Sequence, residues 1–385
     1  MKFNYLMLSA VLCSAMVSCS SDEIENINES KQNAIGFNIV NNGVGRAAIV
    51  DNTEELQANS FNVYAFTKDG DAYMGSNDTE DAYNGIGIAF SNGAWNYIND
   101  TDLRYWPTEA LDFYAVTPGT KSVTDKYSNI ATLYGWNFNA TTQTIKYTSF
   151  DEYAADNTPD KRNYAQNIDV MYAIAKDQTK NTNAGKVNFQ FRHILSQVVF
   201  LAKTELANFS VDINEVKLHN FIMGGVFTLP ATHGAETQSS WTLTTEGANN
   251  GHGTFTVTPA GAGINVNSNV TTTSISLDKP LLLVPQNITK WDVTAGSIPD
   301  LGATGSYLEI SCKIKQNGLF LLGSAEEWKT IYVPFEASLL PGKRHIFTLV
   351  FGGGYDKDGN EILTPITFDA EVTDWADQNE PDIAL

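Results

Sequence analysis

Five histidines, three cysteines and 44 carboxylates against 24 lysines and arginines are the side chains of this 385-residue chain that could do chemistry. His193, His219, His233, His252 and His345 share no HxH, HxxxH or HExxH spacing, so no dedicated zinc site is expected. Cys13 and Cys19 fall in the N-terminal segment, which leaves Cys312 as the single thiol of the body. One thiol forms no internal disulfide, and no CxxC pair is present for a metal. Leu308, Ile310, Cys312 and Ile314 alternate onto one face, so Cys312 reads as a small buried hydrophobe. Asp356-Lys-Asp-Gly-Asn360 has oxygen-rich turn chemistry. The place where a calcium loop needs its bidentate Glu is Thr367, so the segment reads as a hairpin turn around Asp358-Gly359. Lys68-Asp-Gly70 reads the same way. Gly352-Gly-Gly354 follows a strand and opens no helix, so it is no phosphate cradle. Nothing marks any two carboxylates as a glycosidase pair. No cofactor motif appears, and a non-enzymatic chain is expected. Trp106 and Trp375 are expected in the core, while Trp136, in Leu133-Tyr-Gly-Trp-Asn-Phe138, is the tryptophan to test for ligand contact.

The most specific chemistry belongs to Cys19. Residues 1–19 read MKFNYLMLSAVLCSAMVSC, with Lys2 at the start and a mostly apolar run from Leu6 to Val17. The run is too short for a transmembrane helix and suits a signal peptide. It ends in Met16-Val17-Ser18-Cys19, which looks like a lipobox. There a small residue precedes a Cys whose thiol becomes a thioether to diacylglycerol. Cys19 is therefore the expected lipidation site, and the mature protein is expected to be anchored rather than membrane-spanning. The acidic stretch Ser20-Ser-Asp-Glu-Ile-Glu-Asn26 resembles the surface-export signal of Bacteroidota lipoproteins and suits a plain polar tether equally well. Residues 20–33 read as a flexible tether either way.

The elements that must carry such groups are strands. The formal charge, 24 − 44 = −20, repels phosphate backbones and argues against nucleic-acid partners. Length and a 42% hydrophobic content predict about two domains. Phe61, Val63 and Ala65 alternate with Asn62, Tyr64 and Phe66. Val187, Phe189 and Phe191 alternate with polar neighbours, and so do Ile366, Phe368, Ala370 and Val372. Each run predicts a strand with one face buried. The continuous run Leu281–Val284, closed by Pro285, predicts a strand buried on both faces. Thr53–Ala58 and Ser324–Thr330 are the expected helical turns, the second with capping-box spacing from Ser324 to Glu327. Gly247–Gly263 reads as hairpin loop. The polar run Lys176–Gly185 predicts a division into domains at 34–185 and 186–385.

The order of short motifs then matters more than any one of them. Ile35-Gly-Phe-Asn38 is followed by Gly45-Arg-Ala47, Phe61-Asn-Val-Tyr-Ala-Phe66, Tyr105-Trp-Pro107 and Leu111-Asp-Phe-Tyr-Ala-Val-Thr-Pro118. Asp169-Val-Met-Tyr-Ala173 and Phe189-Gln-Phe-Arg-His-Ile-Leu-Ser-Gln-Val-Val-Phe200 come next. Leu281-Leu-Leu-Val-Pro-Gln286, Leu340-Pro-Gly-Lys343 and Val372-Thr-Asp-Trp375 complete the series. This succession resembles the fimbrillin family, the subunits of type V pili in the Bacteroidales.

The resemblance implies an all-β chain of two transthyretin-like (Greek-key) β-sandwich domains in series. It implies export as an outer-membrane lipoprotein, cleavage by an Arg-specific protease after the first strand, and assembly at the cell surface by donor-strand exchange for cell adhesion. Arg46, with Ala47 after it, stands in the matching place for processing. The tail after Trp375 is the candidate donor, with Ile383, Ala384 and Leu385 as its apolar residues, although Pro381 and the acidic residues weaken it. The implied partners are other fimbrial subunits by strand addition, the outer membrane through the lipid, and a surface glycan or protein receptor. No metal or cofactor is implied. The alternative is a surface-anchored carbohydrate-binding lipoprotein that assembles no fibre.

Overall fold

Apolar–polar alternation becomes strand throughout the computed structural model, which describes residues 33–40, 57, 60–75, 85–119, 137–139, 141–149, 169–268, 272–277 and 280–375. Among these residues the chain is all-β apart from short 3-10 turns such as Asp100–Asp102, and from Gln57, the one described residue of Thr53–Ala58, which is helical as expected there. No helix among them is long and apolar enough to cross a membrane.

The largest sheet has nine strands. Its order is Lys186–Phe189, Gly36–Ile39, Ala94–Tyr97, Ile86–Ser91, Phe61–Phe66, Leu111–Thr117, Met171–Gln178 and Arg192–His193, with Ala72–Met74 beside Phe61–Phe66. Only Gln190 and Phe191 separate the two end strands in sequence, so the sheet must curl until its ends nearly meet. The curled face encloses Phe61, Val63, Phe113, Val187 and Phe189.

Phe61–Phe66 was expected to bury one face, but it is buried along its whole length. Tyr64 and Phe66 join a second cluster with Tyr114, Tyr172, Ile145, Phe227 and Trp241. The cover comes from a smaller sheet in which Gly224–Thr228 pairs with both Trp241–Leu243 and Thr144–Thr148. Aromatic residues on the outer face therefore meet a second layer instead of water.

The C-terminal strands build two facing sheets. In one, Ser196–Lys203 runs parallel to Lys343–Val350, which pairs in turn with Thr367–Asp374. In the other, Phe209–Ile222 lies between His252–Thr258 and Tyr307–Gln316, and Lys329–Pro334 follows. Val198, Phe200, Val211, Ile213, Leu308, Ile310 and Ile314 fill the space between them. Cys312 is fully enclosed there, and burial pushes its thiol up to about 12. Leu281 and Leu283 face this core while Leu282 and Val284 face the second cluster, so this strand is buried on both sides as expected.

Three local expectations are corrected. Gly247–Gly263 is not all loop. His252–Thr258 is a strand, because Phe255 and Val257 alternate into the core behind the Gly/Asn-rich approach. Ser324–Thr330 forms no helix. Glu327 N–H does donate to Ser324 Oγ at 3.1 Å, but Leu319–Leu322 and Lys329–Pro334 both pair with Tyr307–Gln316, so the chain between them only loops out. Ala370 and Val372 do not face the core as expected. Ala370 is exposed and Val372 is 53% exposed, because Thr367–Asp374 pairs with Lys343–Val350 on one side only and its far end lacks a covering layer.

Candidate strand-exchange slot

Gly36–Ile39 is short, yet it occupies an interior position in the nine-stranded sheet. It runs parallel to Lys186–Phe189 over four registered pairs, and Phe37 opposes Trp95 in the antiparallel strand on the other side. The polar Asn38 points away from the apolar set and its Nδ2 donates to Asn188 Oδ1 at 3.3 Å. Ile35 and Phe37 point inward and are 1% and 2% exposed, and the half-buried Ile39 packs against the same cluster.

Phe37 is the centre of the slot. Its ring stacks on Phe189 with centroids 6.0 Å apart and planes at 8°, and it meets Phe61 edge-on at 6.4 Å. Tyr97 lies at 5.7 Å and its hydroxyl donates to the Ile35 carbonyl at 3.0 Å. Burial raises the Tyr97 phenol above its ordinary range, so it stays a donor. Burial of Ile35 and Phe37 stabilises by about 1.5–3 kcal/mol each.

The backbone attachment is slight by comparison. Outside the ladder, Ile35 N–H donates to Arg104 O at 2.9 Å, Val40 N–H to Phe189 O at 2.9 Å, and Trp106 N–H to Asn33 O at 3.0 Å. Removing this strand would expose two sheet edges, Ala94–Tyr97 and Lys186–Phe189, and the pocket that Phe37 fills. Paired edges left open in this way accept an extended strand through backbone hydrogen bonds and alternating side chains.

Arg46, Ala47, Cys19, Ile383, Ala384 and Leu385 lie outside the described residues, as does Trp136. Trp106 is half-buried, donates from Nε1 to Gly185 O at 2.9 Å and packs on Phe113. Trp375 is 3% exposed and stacks on His193 at 4.2 Å, with the His193 Nδ1 held 2.9 Å from Asp169. Asp356–Asn360 is a turn. Asp356 Oδ1 accepts from the N–H groups of Asp358 and Asn360, and Gly359 adopts φ +83°. Among the described residues no group of three or more His, Cys, Asp or Glu could hold a metal ion.

The sequence reading did not identify Lys186–Phe189 as the partner of the first strand. The signal was present, since Val187 and Phe189 carry the same two-residue spacing as Ile35 and Phe37. It also missed the trio of buried Tyr172, half-buried Arg192 and Glu236. Glu236 accepts from Tyr172 Oη at 2.6 Å and from Arg192 Nε at 2.5 Å. Burial alone would raise the Glu236 carboxyl, but these hydrogen bonds outweigh it and hold the group below its usual range. Glu236 sits in a polar loop with no periodicity, so no sequence pattern announces it.

The fimbrillin-like family profile matches residues 46–375, most of the chain. The chain belongs to the fimbrillin-like family. A fimbrium subunit, Fim1C of Phocaeicola vulgatus, is 24% identical over 217 residues, which is 54% of this chain and 53% of that protein. The match thus spans about half of that relative's length. A crystal structure of a fimbrial protein from Bacteroides vulgatus superposes with a TM-score of 0.52 at 15% identity, covering 89% of this chain and 99% of that one. This likeness shows a shared fold. For a fimbrillin-like chain, the family match begins at Arg46 and so excludes Gly36–Ile39.

Proposed function

We propose that this fimbrillin-like protein is a subunit of a cell-surface fimbria that assembles by strand exchange. The observation that carries the reading is the slot. A four-residue strand supplies Phe37 to a closed aromatic core, lies between two other strands, and is followed seven residues beyond Ile39 by Arg46. Cleavage after Arg46 would separate Gly36–Ile39 from the rest of the chain, and a strand from a neighbouring subunit would take its place. Such a head-to-tail contact does not close on itself and propagates a filament.

The remaining parts of the reading follow the sequence. Cys19 anchors the precursor to the outer membrane through lipid. The chain forms two transthyretin-like sandwiches, the first of which takes in Lys186–Phe189 and Arg192–His193. The tail from Ala376, ending in Ile383, Ala384 and Leu385, is the donor. Size-exclusion chromatography of protein cleaved after Arg46, with and without residues 376–385, tests this. Polymers only in the tail-bearing sample support the full reading. Polymers in both samples remove the tail from the role of donor, and polymers in neither remove self-assembly.

A further inference from the structure

The nine-stranded sheet, the loop after Gly224–Thr228 and the C-terminal sheet meet at one cleft of about 290 Å³. Its wall includes Phe191, Arg192, Glu236, Lys343, Asp374 and Trp375. The volume lies at the small end of ligand pockets, which run from about 300 Å³ upward, and suits one ring-sized molecule rather than an extended chain.

The charges of the wall come in matched pairs. Arg192 is bound to Glu236, whose side chain is only 4% exposed, and Lys343 is bound to Asp374. These two cations and two anions cancel within the cleft, and His193, the remaining basic side chain of the wall, is backed by Asp169 at 2.9 Å. An anionic ligand would find no uncompensated cation here and would also meet the field of a chain at −20. A cationic ligand would be drawn by the net charge of the chain but would find the wall carboxylates already paired, Glu236 with Arg192 and Asp374 with Lys343. A neutral polyol is different. Each hydroxyl both donates and accepts, so adjacent hydroxyls can bridge the ammonium and carboxylate of one ion pair without breaking it. Glu236 is fixed from behind by Tyr172, which pre-orders that side of the wall. Phe191 is half-buried, with its ring against Phe61 at 5.4 Å, so an apolar surface borders the polar one. A polar edge beside an aromatic surface suits a pyranose ring, with its hydroxyl rim and C–H face.

We infer that this cleft binds a single neutral hexose ring. The inference does not rest on strand exchange: of these side chains only Phe191 approaches the slot around Phe37, through Phe61 and Phe189, and both ion pairs of the wall lie outside it.

The test is saturation-transfer NMR on the full chain with methyl glucoside, methyl galactoside and methyl mannoside. Glucuronate and glucosamine serve as anionic and cationic probes. At least one neutral hexoside should bind, and the Lys343→Ala/Asp374→Ala double variant, which keeps the cleft neutral, should weaken it about tenfold. Both side chains are at least 39% exposed, so the thermal midpoint of the variant should match wild type. Asp374→Asn alone leaves Lys343 uncompensated and should turn the preference toward glucuronate. Absence of binding by every neutral hexoside would overturn the inference. So would tighter binding of glucuronate or glucosamine by the wild type, or binding that the double variant leaves unchanged.

Discussion

Gly36–Ile39 and Thr367–Asp374 are the first and last strands of the described chain, and they are held by different means. The first has four residues, neighbours on both sides, and Ile35 and Phe37 almost wholly buried. The last has eight residues in continuous register with Lys343–Val350, but a neighbour on one side only, and Val372 is 53% exposed. The first is thus held mainly by side chains in a core, and the last mainly by its ladder. A strand held by side chains can be replaced by any extended segment that offers the same apolar residues at the same spacing. A strand held by a long ladder is retained when a side chain changes. On the strand-exchange reading, this physical difference is what would separate a removable plug from a fixed edge.

The largest expected effect is at the plug. Phe37→Ala should cost about 3–5 kcal/mol in urea unfolding, because the stacked Phe189 and edge-on Phe61 leave little room for collapse around the hole. A loss under about 1 kcal/mol would mean that the ladder, not the side chain, holds this strand.

The next effect comes from His345, on the strand that supports the last one. His345 is 1% exposed, burial lowers its imidazole from 6.5 to about 4, and its Nε2 accepts from Leu340 N–H at 3.1 Å. The unfolded chain therefore takes up the proton first. The stabilisation is complete above the unfolded value and is lost as pH falls from about 6.5 toward about 4, up to about 3 kcal/mol in all. His345→Gln should flatten this part of the stability–pH curve. An unchanged slope between about pH 7 and pH 5 would contradict the buried neutral imidazole.

Phe368→Ala should cost about 1–3 kcal/mol, less than Phe37→Ala. Phe368 is only half-buried, against Phe335 at 5.7 Å. The smallest effect is at the exposed end of the same strand. Val372→Thr should stay within about 0.5 kcal/mol in thermal melts. A larger loss there would show that a further layer covers this edge in solution.

Much of this architecture was legible in the sequence because alternation is set by the chain itself. Leu281–Val284 reported burial on both faces, and Leu308–Ile314 reported the site of Cys312. Alternation cannot report what lies above a face. Phe61–Phe66 gained a second layer from strands far away in sequence, while Val372 lost the cover its spacing implied. Ser324 and Glu327 show the same limit, since their local hydrogen bond formed inside a loop between strands. The slot was half legible. Ile35-Gly-Phe-Asn38 carried the place of the first strand through the resemblance, but its parallel partner lies 150 residues on, where only pairing geometry can reveal it. The cleft was not legible at all, because its wall joins Arg192, Glu236, Lys343 and Asp374 from four separate segments.

The central claim is that the place of Gly36–Ile39 can be emptied and refilled. The direct measurement is the thermal midpoint of protein cleaved after Arg46 and freed of its N-terminal fragment, alone and with a synthetic peptide of residues 33–46. The account predicts a lower midpoint for the emptied protein, recovery with the native peptide, and no recovery with the same peptide carrying Phe37→Ala. An unchanged midpoint after loss of the fragment, or equal recovery with both peptides, would contradict it.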